Sequence, residues 1–171
     1  MLLLEDVTVE VGDRRLLDRV RLAVRRGERF GVVASSSGEQ AAILSLLAGR
    51  REPTAGRVRI DGLDPVEDAE LLTGRVAEDP QGAGSADVLL LTTPGPSLAA
   101  WPWARAAGGQ DAVPAAPHPT VLLVTADAAQ ARAVCDRVAV LADGRVVATF
   151  ETDSGSHRTN PNRPPITRSM S

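Results

Sequence analysis

The sequence predicts an α/β protein in which an N-terminal antiparallel β-subdomain is joined to a core of buried, parallel strands. Two patterns carry that reading. Residues 2–24 alternate apolar and polar in the manner of half-buried strands. Three later runs, Phe30–Val33, Val88–Leu91 and Val121–Val124, are apolar throughout, as strands covered on both faces must be. Antiparallel ribbons followed by such strands and by helical segments define this layered class.

Taken in order, Val7, Val9 and Val11 fall on one face of the first ribbon, with Thr8 and Glu10 on the other. Val20, Leu22 and Val24 then alternate with Arg21, Ala23 and Arg25. Gly12-Asp13 and Gly27-Glu28 supply the turns. After Phe30–Val33 comes a serine-bearing loop, and a helix is predicted from Gln40 to Ala48, stopped by Gly49. A second helix follows Asp127 as its cap, with Gln130 spaced to complete a capping box. Within that helix Cys135 is expected to be a small buried hydrophobe. Val138–Leu141 and Arg145–Ala148 flank Asp143-Gly144, a strong hairpin signal. Residues 101–120 are rich in Ala, Gly and Pro, and 151–171 are polar with several prolines. The expected organisation is one domain over 1–150, with a weakly ordered insert at 101–120 and a disordered tail at 151–171.

A chain of 171 residues suffices for one domain with a real core. Hydrophobic content of 43% with mixed charges describes a soluble globular protein, and a net charge of −3 gives no reason to expect a nucleic-acid partner. All 19 basic residues are Arg, so no step that needs a lysine ammonium can operate. Cys135 is the only cysteine, which excludes an internal disulfide and favours a reducing compartment. No apolar run approaches the length of a membrane span, and Leu2, Leu3 and Leu4 reach Glu5 and Asp6 at once, unlike a secretory signal. A cytoplasmic protein without direct membrane insertion is expected.

Strand, glycine-bearing loop and helix at residues 30–49 form the layout of a P-loop. Around it lie Arg26-Gly27-Glu28-Arg29, Leu46-Leu47-Ala48-Gly49, Pro53-Thr54-Ala55-Gly56-Arg57-Val58 and Asp61-Gly62. Later come Cys135-Asp136-Arg137-Val138 and Asp143-Gly144-Arg145-Val146. In these stretches, from Leu3 to Gly62 and from Val121 to Ala148, the chain resembles the ATP-binding subunits of ABC transporters. The resemblance implies a P-loop NTPase-like, ABC-type core with a site for ATP and Mg²⁺. It also implies a permease or another ATP-binding subunit as partner, and a place peripheral to the inner face of the plasma membrane.

Carried over residue by residue, the same resemblance marks departures. A working phosphate loop ends in Gly-Lys-Ser/Thr: backbone amides approach the phosphates, the Lys reaches the β/γ oxygens and the hydroxyl holds Mg²⁺. Counting back from Leu47-Ala48-Gly49, the loop here is Ala34, Ser35, Ser36, Ser37, Gly38, Glu39, Gln40, Ala41 and Ala42. Glu39 stands at the last glycine, Gln40 at the Lys and Ala41 at the Mg²⁺ hydroxyl. A register shifted by one residue places Gly38 at the glycine and Glu39 at the Lys. In either register a carboxylate occupies the phosphate position.

Where the family has Asp-Glu after a buried strand, this chain has Thr92 and Thr93, and threonine is no general base near neutral pH. Ala99 stands at a further Asp of the family. Ala126 replaces the switch histidine, while His118 and His157 lie in the segments expected to be weakly ordered. The adenine-stacking aromatic falls near Val11, and a lost stack forfeits ~1–3 kcal/mol. Gln81, after Arg75–Pro80, matches the Q-loop glutamine. Gly82 to Ala86 then spans the gap where the family has a helical subdomain carrying Leu-Ser-Gly-Gly, so that subdomain is read as deleted.

Charge-assisted phosphate contacts contribute ~1.5–3 kcal/mol each, and a micromolar ligand has only ~8 kcal/mol in total. Losing the Lys, the metal ligands, the stack and the histidine predicts a pseudo-ATPase with no catalytic residues, no bound metal and no cofactor. The resulting reading is a non-catalytic binding or regulatory module. One alternative is a divergent ATP-binding subunit, with weak binding through Ser35, Ser36, Ser37 and Gln81, that serves transmembrane transport. Another is a decaying gene product with no selected role.

Overall fold

The computed structural model describes residues 1–78, 86–92 and 119–152. Strands β1 (Leu2–Val11), β2 (Arg14–Val24) and β4 (Ala55–Ile60) form an antiparallel sheet of order β2-β1-β4. A second sheet has the order β5-β6-β7-β3-β8-β9. It comprises β5 (Val76–Ala77), β6 (Val88–Thr92), β7 (Thr120–Thr125), β3 (Arg29–Ala34), β8 (Arg137–Ala142) and β9 (Arg145–Glu151). Its strands run parallel except β9, which pairs antiparallel with β8. Helices α1 (Ser37–Leu47), α2 (Ala69–Leu72) and α3 (Ala128–Val134) complete the described elements.

The run-type strands are buried on both faces. Phe30, Val32, Leu90, Leu122 and Val124 join a cluster with the antiparallel sheet and with Ile43, Leu46 and Leu47 of α1. Val33, Leu89, Leu91, Val121 and Leu123 point the other way, into a cluster with Ala131 and Cys135. Each such side chain removed from water contributes ~1.5–3 kcal/mol, so an all-apolar strand is stable only when covered on both sides.

In the antiparallel sheet Leu2, Leu4, Val7 and Val9 of β1 lie beside their cross-strand partners Val24, Leu22, Val20 and Leu17 of β2, and all of them are buried in the same core cluster. Val11, expected on the same face as Val7 and Val9, is instead exposed where β1 runs out into the turn. Asp6 takes a positive φ of 48° within a shift of register, and Gly56 packs against it. A Cβ on Gly56 would lie 2.4 Å from the Asp6 carbonyl oxygen, and its φ of +89° is also one that side chains disfavour.

Several boundaries differ from the sequence reading. Helix α1 starts at Ser37, three residues before Gln40, because the Gln40 amide already closes a helical turn onto the Ser36 carbonyl at 3.1 Å. Asp127 does cap α3, accepting from the Ala129 and Gln130 amides at 2.8 and 3.2 Å. Its own amide donates to the Thr125 hydroxyl at 3.0 Å, so that group has a partner other than the Gln130 side chain of a capping box. Cys135 is buried as expected but follows α3 in extended conformation, with φ −101° and ψ 150°. Thr120 opens β7, its hydroxyl accepting from the Gly27 amide at 3.0 Å. Glu151 closes β9, and the Thr152 amide donates to the Asp136 carbonyl at 2.9 Å. The rest of the segments read as insert and tail, 101–118 and 153–171, lies outside the described residues.

Ion pairs join the layers. Arg29 grips Asp136 through Nη2 at 2.7 Å, and Arg137 reaches Glu28 at 3.2 Å. Asp61 receives Arg26 at 2.8 Å, Arg75 at 3.1 Å and the N-terminal ammonium. Arg75 also pairs with Asp87 at 2.6 Å, tying the antiparallel sheet to the approach to β6. Among the described residues no helix is long and apolar enough to cross a membrane.

Candidate functional site

The adjacent parallel strands β6, β7 and β3 end on one edge of the sheet, where ligands of open α/β sheets bind. Val124 lies opposite both Thr92 of β6 and Val32 of β3. That register brings three sequence-predicted positions to the same edge: the loop after Ala34, Thr92, and Ala126 just past β7. Gln81 and Thr93 lie outside the described residues.

Within the loop, Ala34 is buried at the strand end, and Ser35, Ser36 and Ser37 are exposed. Gly38 is half-buried against Leu16, to which an added Cβ would come within 3.1 Å. Glu39 is 5% exposed, Gln40 half-buried, Ala41 exposed, and Ala42 part of the core. Ser36 takes the N-cap position without a side-chain cap hydrogen bond.

The Glu39 and Gln40 side chains are turned inward onto the protein. The Glu39 carboxylate accepts from the Gly144 amide through Oε1 at 2.6 Å, and its Oε2 has no hydrogen-bond partner among the described residues. The Gln40 side-chain amide donates through Nε2 to the Ala34 carbonyl at 2.6 Å, closing the loop on itself. A carboxylate in the first turn of α1 sits well with the positive end of the helix dipole.

Gly144 is held from the other side by the Asp18 amide, which donates to its carbonyl at 2.8 Å. Only glycine fits there: φ is +73°, and a Cβ would stand 2.7 Å from the Leu16 carbonyl oxygen. The next residue, Arg145, donates through Nε to Asp18 at 2.6 Å, and Arg15 approaches the same carboxylate at 3.4 Å. The bond from Arg145 holds the Asp18 carboxyl below the usual carboxylate range, against its desolvation. The loop, β2 and the β8–β9 hairpin are therefore locked together around Gly144.

The arrangement offers an anion exposed hydroxyls and the start of a helix. It offers no ammonium from the loop, since the chain contains no lysine. Thr92, exposed at the end of β6, presents a neutral hydroxyl, and Ala126 presents none. Among the described residues no group of three or more His, Cys, Asp or Glu side chains is placed to hold a metal ion. Asp18, Gly144 and Arg145 were not identified as neighbours of the loop from sequence. Gly144 lies 105 residues from Glu39, a separation that no local pattern reports.

No protein-family model matches the chain. It is 40% identical over 60 residues to the mycobactin import ATP-binding/permease protein IrtB of Mycolicibacterium thermoresistibile, a match covering 35% of this chain and 10% of that protein. It is 43% identical over 70 residues to the lipoprotein-releasing system ATP-binding protein LolD of Chromohalobacter salexigens, covering 41% of this chain and 27% of the relative. These matches thus span from a tenth to about a quarter of each relative's length. Among solved structures, an ATP-binding subunit of an ABC transporter superposes with a TM-score of 0.68 at 15% identity, over 90% of both chains. The cbiO1 protein of Clostridium perfringens, part of the ABC transporter complex cbiONQ, superposes with a TM-score of 0.69 at 13% identity, over 92% of this chain and 90% of that one. At such identities the structural likeness speaks for the fold alone.

Proposed function

We propose that the chain, which is similar to ABC-type ATP-binding domains in fold and in its matching stretches of sequence, is a non-catalytic member of that group. In this reading it neither hydrolyses ATP nor binds it tightly, and it acts as a binding or regulatory module. The carrying observation is the bonding of Glu39 and Gln40. Glu39 is anchored to the Gly144 amide, and Gln40 is spent on the Ala34 carbonyl. A triphosphate at the loop would meet a fixed negative charge with no lysine to offset it, so the residues present do not fit Mg-ATP.

Thr92 and Thr93 supply neither a metal-binding carboxylate nor a base for the attacking water. Residues 78–87 alone connect β5 to β6, leaving no length for a helical subdomain between them. The partner this reading implies is a permease or another ATP-binding subunit, met at the membrane's inner face without insertion. Its domain would run over 1–150, with 151–171 as a tail.

Calorimetric titration of purified protein with Mg-ATP, with a thermal melt to establish folding, tests the reading. A folded protein that shows neither heat nor a shift in melting is the expected result. Saturable micromolar binding would overturn it. A second reading, residual binding by a divergent subunit, rests on the exposure of Ser35, Ser36 and Ser37 at the start of α1. Binding that disappears when these serines and Gln81 are replaced by alanine would establish that alternative.

A further inference from the structure

The chain contains two Asp-Gly steps, Asp61-Gly62 and Asp143-Gly144. Among aspartyl steps this dipeptide is the one most prone to a spontaneous backbone reaction, because glycine puts no side chain in the path of its own amide nitrogen. The nitrogen bonds to the aspartate Cγ, and its proton leaves with the carboxyl hydroxyl as water. A five-membered imide results, and water then opens it at either carbonyl, returning aspartate or its β-linked isomer, isoaspartate. The reaction needs a nitrogen free to attack and a carboxyl in its neutral form, since an oxide is no leaving group.

The two steps share a left-handed φ at both residues and differ in what holds them. Asp61 and Gly62 have φ of 52° and 86°, and Asp143 and Gly144 have 50° and 73°. At the first step Gly62 is exposed and the carboxylate is gripped: Arg26 donates to Asp61 at 2.8 Å and Arg75 at 3.1 Å. At the second the arrangement is reversed. Asp143 is exposed, and among the described residues its carboxylate has no hydrogen bond or ion pair. Gly144 is buried, and its amide donates to the Glu39 carboxylate at 2.6 Å.

We propose that Asp143-Gly144 is an isoaspartate-forming site held closed by Glu39, whose carboxylate restrains the attacking Gly144 nitrogen. Two effects act together. Attack requires the nitrogen to shed its proton, and that proton is bonded to Glu39 Oε1. The negative charge developing on the nitrogen would also stand beside a buried carboxylate, where like charges are weakly screened. The Asp18 amide, bonded to the Gly144 carbonyl at 2.8 Å, fixes the glycine from its other side and opposes the turn of its nitrogen toward the Asp143 Cγ. Isomerisation would insert a methylene into the backbone of the turn between β8 and β9, where these contacts converge. The restraint acts whether or not the loop meets a nucleotide.

The test ages the parent, Glu39→Ala and Glu39→Gln in mildly acidic buffer at physiological temperature and quantifies isoaspartate at each Asp-Gly step by peptide mapping. Circular dichroism establishes folding, and the parent held in denaturant, expected to convert at both steps, sets the unrestrained rate. The native parent should convert at Asp143 at least about tenfold more slowly than that, as loss of a hydrogen bond to a charged group implies. Glu39→Ala should regain most of the difference at Asp143 while Asp61 stays at the parent's level. Asp61 is thus an internal control, since general loosening of the fold would raise both steps together. Glu39→Gln keeps an acceptor for the Gly144 amide without the charge and should fall between the two. If Glu39→Ala does not fold, Glu39→Gln decides: conversion above the parent's at Asp143 alone supports the proposal, and conversion equal to the parent's overturns it. Native parent converting at Asp143 as fast as denatured, a folded Glu39→Ala no faster than the parent, or a joint rise at both steps would also overturn it.

Discussion

Glu39 and Gly144, 105 residues apart in sequence, are joined by a 2.6 Å hydrogen bond that carries a loop carboxylate into the turn of a distant hairpin. That bond makes Glu39 a structural residue as much as an obstacle to phosphate. Replacing it should cost stability whatever the nucleotide chemistry. Glu39→Ala strands the buried Gly144 amide, a penalty partly offset by removing a carboxylate oxygen that has no partner. The expected loss is about 1–2 kcal/mol in urea unfolding. A variant as stable as the parent would show that the bond contributes nothing.

Restoring the loop tests the nucleotide reading from the opposite direction. Glu39→Gly, Gln40→Lys and Ala41→Ser together remove the carboxylate and add an ammonium and a hydroxyl. Charge-assisted contacts of ~1.5–3 kcal/mol each should bring Mg-ATP affinity into the millimolar range or better, visible by calorimetry. Phosphate release should stay at background, because Thr92 and Thr93 remain. Turnover by the triple variant would mean that another group on the chain acts as the base.

Acid should unlock the hairpin through Asp18. The Arg145 bond holds its folded carboxyl below the unfolded value, so the stabilisation is present above the ordinary carboxylate pKa of about 3.9. It is lost as pH falls through the lower folded value. Asp18→Asn should therefore be less stable than the parent near neutrality, with the gap closing in acid. Melting temperatures followed from about pH 7 to about pH 2 would reveal this, and parallel curves for the two proteins would refute it.

Cys135 should be inert while the protein is folded. Burial pushes its thiol up to about 12, against the opposing pull of the Arg29 guanidinium. At pH 8 only about one thiol in ten thousand is then ionised, and the sulfur is also shielded from solvent. Iodoacetamide labelling followed by mass spectrometry should find it unmodified in buffer and fully modified in denaturant. Rapid labelling of the native protein would contradict the buried site.

The parallel core was legible because its strands announce themselves twice. Phe30–Val33 and Val121–Val124 are apolar without interruption, and in the fold alternate residues fill two separate clusters. The Asp143-Gly144 turn was equally plain, since its glycine takes the positive φ that such a turn demands. By contrast β4 was not read as a strand. Only Val58 and Ile60 mark its buried face, and Arg57 and Arg59 interrupt too short a window for periodicity to register. Val11 follows the alternation in sequence yet is exposed, because it is the last residue of β1, at the tip of the hairpin with β2. At the candidate site the identities of Glu39 and Gln40 could be read directly. The destinations of their side chains could not, since Gly144 is brought in by tertiary folding and Ala34 by a turn inside the loop.

The placement of β3 bears on how the chain can be assembled during synthesis. This strand lies at the middle of its sheet, between β7 and β8, yet both neighbours begin only at Thr120 and Arg137. A growing chain that has emerged only through β4 has no flanking strand for Phe30 and Val32, and the Glu39 carboxylate has no Gly144 amide to meet. Closure of the sheet is therefore a late event that couples the first third of the polypeptide to its distal hairpin. A ribosome stalled before Thr120 should leave Phe30–Val33 accessible to chaperones, whereas release of the longer product permits the sheet to close.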